Sequence, residues 1–349
     1  MYKKFFMGIA AMAALTLVSC SSDDLNSLSD NSSKNEAISF DGYLGRSAVA
    51  VNGTRGSVET KDQLKTDGFG VFGNYNSTGG QNFGSNLFNN VKVYSSSTVE
   101  PVIWTYENKK YWPTEGNINF LAYAPHVENK TLTGSSIAFT VEGEAAKQTD
   151  LLWANAKDQT KTNQSGGNKV KFTFNHALSR LGYSVKLKED YSGATITLNK
   201  ITLAGSADEA TKAFYKEGTI DLSKEDKAAK LWTPSTTADK QNFTWFSGDQ
   251  KLTDKVANNT EYLFVIPQDF SQKTSGADEL YVIVEYTVEL PLQTGTTGPM
   301  KTSVSKKLEK KFNQGKAYLI NLTIGLTPIE FDADVTDWGK EDSSDITWN

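Results

Sequence analysis

Cysteine is almost absent: the 349 residues hold one, Cys20. An intramolecular disulfide is therefore excluded, and an apolar core alone must hold the body together. Histidine is nearly as scarce, with only His126 and His176. No Cys/His cluster exists, so the sequence offers no zinc-ligand set. It also lacks a Gly-x-x-x-x-Gly-Lys-Ser/Thr loop, a dinucleotide fingerprint and a Gly-x-Ser-x-Gly elbow. His176 follows a strand-like run and precedes Ala177-Leu178. It reads as a structural turn residue rather than a general base, because no activated nucleophile stands near it. Asp332, Asp334 and Asp337 lack the glycine and terminal glutamate of an EF-hand loop. With 41 acidic residues, carboxylate pairs arise by composition alone and do not indicate glycoside cleavage. No metal, no cofactor and no enzymatic activity are expected.

Long apolar runs are also missing, with one exception. Residues 5–18 are nearly all apolar and follow Lys3 and Lys4. A membrane-spanning helix needs about 20 such residues, so this run is too short to cross and suits a secretory signal. It ends in Leu17-Val18-Ser19-Cys20, which resembles the bacterial lipobox, where cleavage precedes the cysteine and lipid is attached to its sulfur. The alternative is an ordinary signal with an incidental cysteine. The expectation is a signal peptide over 1–19 and lipidation at Cys20, with the acyl chains supplying the membrane anchor. Residues 20–37 form a tether. Between 21 and 36 only Leu25 and Leu28 are large and apolar, too few to offset the cost of chain ordering. Ser21-Ser22-Asp23-Asp24 resembles the acidic signal that sends some Gram-negative lipoproteins to the outer face of the outer membrane.

Positive charge is in deficit. The formal net charge is −5, and it becomes more negative once Lys3 and Lys4 leave with the signal. Such a protein has no electrostatic reason to bind nucleic acid or an anionic membrane surface. What the sequence does have is β pattern. Val170, Phe172 and Phe174 alternate with polar residues, as do Tyr183, Val185 and Leu187. Ile196, Leu198, Ile201 and Leu203 mark a strand with an irregularity near Asn199. The Val/Ile/Tyr-rich run 281–288 reads as a central strand, and Tyr318, Ile320, Leu322 and Ile324 as another alternating one. Turn-forming clusters lie at 76–81, 163–168 and 293–299. Helical periodicity is scarce; 223–231 reads as a short helix or a charged loop. The fold class is all-β, and the length suggests two domains. The polar stretch 158–168 sets the boundary, giving domains over 38–165 and 166–349. No fixed-period repeat is visible.

Aromatic residues cluster in Trp104-Thr105-Tyr106, Tyr111-Trp112-Pro113 and the run 120–125. They read as inward rings of a core hairpin, against the alternative of a carbohydrate platform.

The order of motifs along the chain resembles the fimbrillin family, subunits of type V pili on Gram-negative anaerobes. The matching pieces are Cys20, Ile38-Ser39-Phe40, Thr54-Arg55-Gly56, Phe69-Gly70-Val71-Phe72, Tyr111-Trp112-Pro113 with 120–125, and Asp150-Leu151-Leu152-Trp153-Ala154. They continue through 170–181 around His176-Ala177-Leu178-Ser179, Phe312-Asn313-Gln314-Gly315-Lys316-Ala317-Tyr318 and Trp338. The resemblance implies a structural or accessory pilin with two tandem transthyretin-like β-sandwich domains, carried as a lipoprotein precursor on the outer membrane. It implies that an Arg-specific protease removes the first strand together with the lipid, and that a strand of another pilin subunit, usually C-terminal, fills the groove. Residues 37–40, continuing through Tyr43 and Leu44, are the candidate removable strand. Arg46 and Arg55 are the candidate cleavage points. Ile346 and Trp348, and before them Ile329 and Phe331, show the alternation a donor strand needs; they read equally as closing strands. Two rival functions stand beside this one: a surface glycan-binding lipoprotein of a nutrient-uptake system, which requires exposed rings, and a hydrolase, which requires convergent carboxylates in a cleft.

Overall fold

The computed structural model describes residues 36–44, 59–97, 102–191, 193–225, 230–258, 262–290 and 298–325, and the backbone alone of 330–337. The N-terminal half contributes β1 (Phe40–Leu44), α1 (Lys61–Asp67), β2 (Phe69–Asn76), β3 (Phe88–Ser95), β4 (Trp104–Thr105), β5 (Asn117–Ala124), β6 (Leu132–Thr133), β7 (Ser136–Thr140), β8 (Leu152–Gln159) and β9 (Val170–His176). Next come β10 (Ser179–Leu187), β11 (Thr195–Ala204), β12 (Glu217–Asp221), β13 (Trp232–Pro234), β14 (Phe243–Lys251), β15 (Ala257–Asn258) and β16 (Leu263–Val265). The last are β17 (Gln268–Asp269), β18 (Tyr281–Glu289), β19 (Met300–Lys307), β20 (Lys311–Phe312), β21 (Lys316–Ile324) and β22 (Glu330–Asp337). Among the described residues α1 is the only α-helix, and the protein is an all-β sandwich.

Seven strands form the N-terminal sheet in the order β1-β9-β8-β5-β2-β3-β4. Its two faces feed two different cores. Along β5, Ile118, Phe120, Ala122 and Ala124 enter a first, aromatic-rich core with Phe40, Phe69, Phe88, Phe172 and Phe174. The alternate residues Leu121 and Tyr123 join a second core with Trp153 and most apolar residues beyond 177. A strand with partners on both faces loses the polar half of its alternation, and all eight residues of β5 are buried. The second core lies between a sheet ordered β15-β10-β21-β22, with β16 also on β10, and a four-stranded sheet ordered β14-β11-β18-β19. A further sheet, β13-β12-β7-β6, ties the two halves together, because β7 leaves the N-terminal run to pair with β12.

The expected strands at 170–174, 183–187, 281–288 and 318–324 are present, with β18 and β21 each paired on both sides. The irregularity near Asn199 is a register shift between Leu198 and Lys200. Residues 160–169 connect β8 and β9, adjacent antiparallel strands of one sheet. Gly/Asn-rich composition marks a change of direction. Helix α1 carries its own signal. Thr60 Oγ1 accepts from the Gln63 amide at 3.2 Å while Gln63 Oε1 accepts from the Thr60 amide at 3.0 Å, a complete capping box. Of the segment read as helix or charged loop, Ser223, Lys224 and Glu225 are non-helical, and 226–229 lie outside the described residues.

Candidate functional site: the first strand and its groove

Strand β1 occupies one edge of the seven-stranded sheet and runs parallel to β9, in register from Phe40↔Val170 to Leu44↔Phe174. One ladder therefore holds its backbone. Upstream, the Ile38 amide donates to Lys110 O at 2.8 Å and the Trp112 amide donates to Glu36 O at 3.2 Å. The chain thus turns from one bonding partner to another as it enters the sheet. Tyr106 reinforces this corner by donating its hydroxyl to Ile38 O at 2.8 Å, and burial pushes the Tyr106 phenol above its ordinary pKa.

The side chains explain more of the attachment than the ladder does. Ile38, Phe40 and Leu44 are buried, whereas Tyr43 is exposed. The Phe40 ring sits in an aromatic cage, with centroids of Phe88 at 5.5 Å, Tyr106 at 5.4 Å, Phe120 at 5.4 Å and Phe172 at 5.7 Å. Three of these contacts are edge-on or tilted and the Phe172 ring is stacked, geometries that add to simple area burial. Between Phe40 and Leu44 the inward position is Gly42, and here the groove narrows. A Cβ on Gly42 would stand 2.9 Å from Phe69 Cε1 and 3.3 Å from Trp104 Cζ2. At roughly 1.5–3 kcal/mol per large apolar side chain, Ile38, Phe40 and Leu44 together contribute about 5–9 kcal/mol. That is comparable with the whole net stability of a domain, about 5–15 kcal/mol. Removing β1 would open a deep apolar slot and an unpaired strand edge at once.

A second feature lies at the far end of β9. His176 ends that strand, buried, with Nδ1 2.6 Å from Asp150 Oδ2. The same carboxylate oxygen accepts from the Glu59 amide at 3.2 Å. Glu59 is itself buried, and its carboxyl is pushed up to about 8, first by burial and then by the charges of Asp67 and Asp150. The three residues come from the start of α1, the approach to β8 and the end of β9. The structural role expected of His176 agrees with its closed setting, which suits anchoring rather than catalysis. The Asp150 and Glu59 partners were not foreseen, because residues 91 and 26 positions apart give no local pattern.

The aromatic clusters face inward. Tyr106, Trp112, Phe120 and Tyr123 are buried and Trp104 packs on Phe69 at 5.1 Å, while Tyr111 is exposed. Cys20, Arg46, Arg55, Ile329, Ile346 and Trp348 lie outside the described residues. Phe331 falls on β22 in register with Leu322, so that segment is a closing strand at the edge of its own sheet. Asp332, Asp334 and Asp337 share β22, opposite Asn321, Leu319 and Lys316. Among the described residues no helix is long and apolar enough to cross a membrane.

Known proteins resemble this arrangement. The crystal structure of a fimbrial protein from Bacteroides vulgatus ATCC 8482 superposes with a TM-score of 0.63 at 20% identity, over 87% of this chain and 100% of that one. A protein proposed to act in cell adhesion, from Bacteroides uniformis ATCC 8492, gives a TM-score of 0.50 at 18% identity, over 86% of this chain and 98% of that one. At such identities the likeness speaks for the fold. No curated protein matches the sequence. The fimbrillin-like family model matches residues 54–338, most of the chain, and the chain therefore belongs to the fimbrillin-like family.

Proposed function

We propose that this protein is a non-enzymatic pilin subunit of surface fimbriae that supports cell adhesion and assembles by exchange of its first strand. The observation that carries the reading is β1 itself: an edge strand on one ladder, whose side chains nonetheless fill a core. A strand so placed can be replaced by another that supplies the same ladder and fills the same pockets. Family membership and the likeness to a fimbrial protein support the same reading. Burial of Tyr106, Trp112, Phe120 and Tyr123 argues against the glycan-binding alternative, which requires exposed rings.

In this reading the precursor is anchored in the outer membrane, facing outward, through lipid on Cys20. An Arg-specific protease then cuts at Arg46 or Arg55 and releases β1 with the lipid. The chain has three arginines, and the third, Arg180, is buried in β10 with Tyr262 at 4.5 Å from its guanidinium. Such a protease is thus left with the two sites that follow β1. Another pilin subunit supplies the replacement strand, for which Ile346 and Trp348 are one candidate segment. Arginine-specific digestion of purified precursor should trim it at Arg46 or Arg55 and yield polymers; strictly monomeric trimmed protein at high concentration overturns the reading. Palmitate labelling that disappears in Cys20→Ala tests the anchor.

A further inference from the structure

Residues 45–60 join β1 to α1 and carry both candidate cleavage points, Arg46 and Arg55. The chain is fixed on either side of those points at the same end of β9. Upstream, Leu44 pairs in register with Phe174. Downstream, the Glu59 amide donates to Asp150 Oδ2 at 3.2 Å, and that oxygen lies 2.6 Å from Nδ1 of His176, the last residue of β9. The downstream fixing point is chemically unusual. Glu59, Asp150 and His176 are all buried, and neither Glu59 Oε1 nor Asp150 Oδ1 has a hydrogen-bond partner among the described residues. Two carboxyl groups therefore share one imidazole in a site closed to water, where a second negative charge is costly.

We propose that this cluster is a proton-operated latch that sets how fast the chain is cut between β1 and α1, closed while Glu59 holds a proton and released when Glu59 ionises. This rests on the strand-release reading above and adds its regulation.

The groups facing Glu59 set the sign. Its own helix brings Asp67, the approach to β8 brings Asp150, and β9 brings His176, whose Nδ1 already serves Asp150. Among the described residues no lysine or arginine is paired with Glu59. Burial, then the charges of Asp67 and Asp150, push its carboxyl up to about 8. Once the anchor opens, Glu59 meets water and ionises as an ordinary carboxyl, near 4.5. Between those two values the closed form keeps a proton that the open form has given up. Opening therefore becomes easier as pH rises, by up to about tenfold per pH unit, and the gain stops above about 8, where both forms are ionised. Proteolysis of a folded chain passes through locally opened forms and follows their population when closing is fast. The latch acts on cutting and not on the groove. Phe40 and its aromatic cage lie upstream of Leu44, and Thr60, the residue after Glu59, is held by the capping box of α1.

The test measures initial rates of cutting at Arg46 and Arg55 in the full-length precursor, by intact mass, with an arginine-specific protease between pH 5.5 and 9 at constant ionic strength. Each rate is divided by that of Glu59→Gln, which cannot ionise. The protease's own pH profile and any contribution of Asp150 and His176 then cancel. The ratio should rise at least about tenfold between pH 5.5 and 8 and level off above. A ratio that stays flat overturns the latch and leaves strand exchange standing. If neither arginine is cut at any pH, in wild type or variant, the strand-release reading fails together with the latch. Asp67→Asn covers the case in which Glu59→Gln does not fold, since Asp67 is exposed. Removing its charge makes Glu59 easier to ionise in place. This variant should be cut at the wild-type rate at pH 5.5 and about twofold or more slowly than wild type at pH 8.5. Equal rates at both pH values would overturn the latch.

Discussion

Two parallel ladders make an instructive comparison. Strand β1 lies parallel to β9 through five register pairs, and β10 lies parallel to β21 through eight. In the second pair each strand has a further neighbour on its outer side, β15 and β16 on β10 and β22 on β21. In the first, β1 has none among the described residues of its sheet. Parallel pairing is slightly weaker per residue than antiparallel pairing, so five pairs alone make a poor anchor. What fixes β1 is the Phe40 cage and the flanking aliphatic contacts, whereas β10 and β21 are fixed by bonding on both sides and by burial together. A strand held by side chains can be replaced by any strand carrying the same side chains. A strand bonded on both sides cannot leave without dismantling the sheet.

The sharpest way to break this comparison is at Phe40. Phe40→Ala should cost about 3–5 kcal/mol in denaturant unfolding, while Tyr43→Ala on the outward side of the same strand should change stability by about 0.5 kcal/mol or less. Equal effects would mean that the ladder, not the cage, holds β1. Next comes the narrow point. Gly42→Val should destabilise by about 1–3 kcal/mol through contact with Phe69 and Trp104, measured by the same unfolding curves.

The far end of β9 gives a pH-dependent test of whether its anchor matters. Because burial raises the folded-state pKa of Glu59 to about 8 from an ordinary 4.5, the folded chain keeps a proton that the unfolded chain releases. Its contribution is fully present below about 4.5, declines as pH rises and is lost through about 8. Chemical denaturation between pH 5 and 9 should show this fall, and Glu59→Gln should flatten it. An unchanged slope in that variant would remove Glu59 from the anchor. The smallest effect is expected at the capping box: Thr60→Ala should lower stability by about 1 kcal/mol, since one hydrogen bond to the Gln63 amide is lost. Finally, amide exchange should rank the two ladders, β1 exchanging through local opening and the middle of β10 and β21 only with global unfolding. Equal protection would dissolve the distinction between them.

Much of the strand pattern was legible in advance because period-two alternation is a local signal. Val170, Phe172 and Phe174 alternate in sequence and are buried in β9, with Lys171 exposed between them. Even the break near Asn199 was readable, as the apolar spacing changes there from two to three. Helix α1 went unread: it is too short to show a helical stripe, and its one local signal is the capping pair Thr60 and Gln63. The double burial of β5 was not foreseeable from alternation, since a strand that faces two cores has no polar side to display.

From the sequence come the β character, the positions of β9, β10, β11, β18 and β21 and the inward alternation of β1, because each depends on residues two apart. Tertiary structure alone decided that residues 160–169 join two adjacent antiparallel strands and that β7 crosses to β12. It alone brought Glu59, Asp150 and His176 together, and it alone put β1 at an edge with a ring of aromatics around Phe40. Those facts rest on contacts between residues far apart in the chain, set by how the sheets stack and not by any neighbouring pattern.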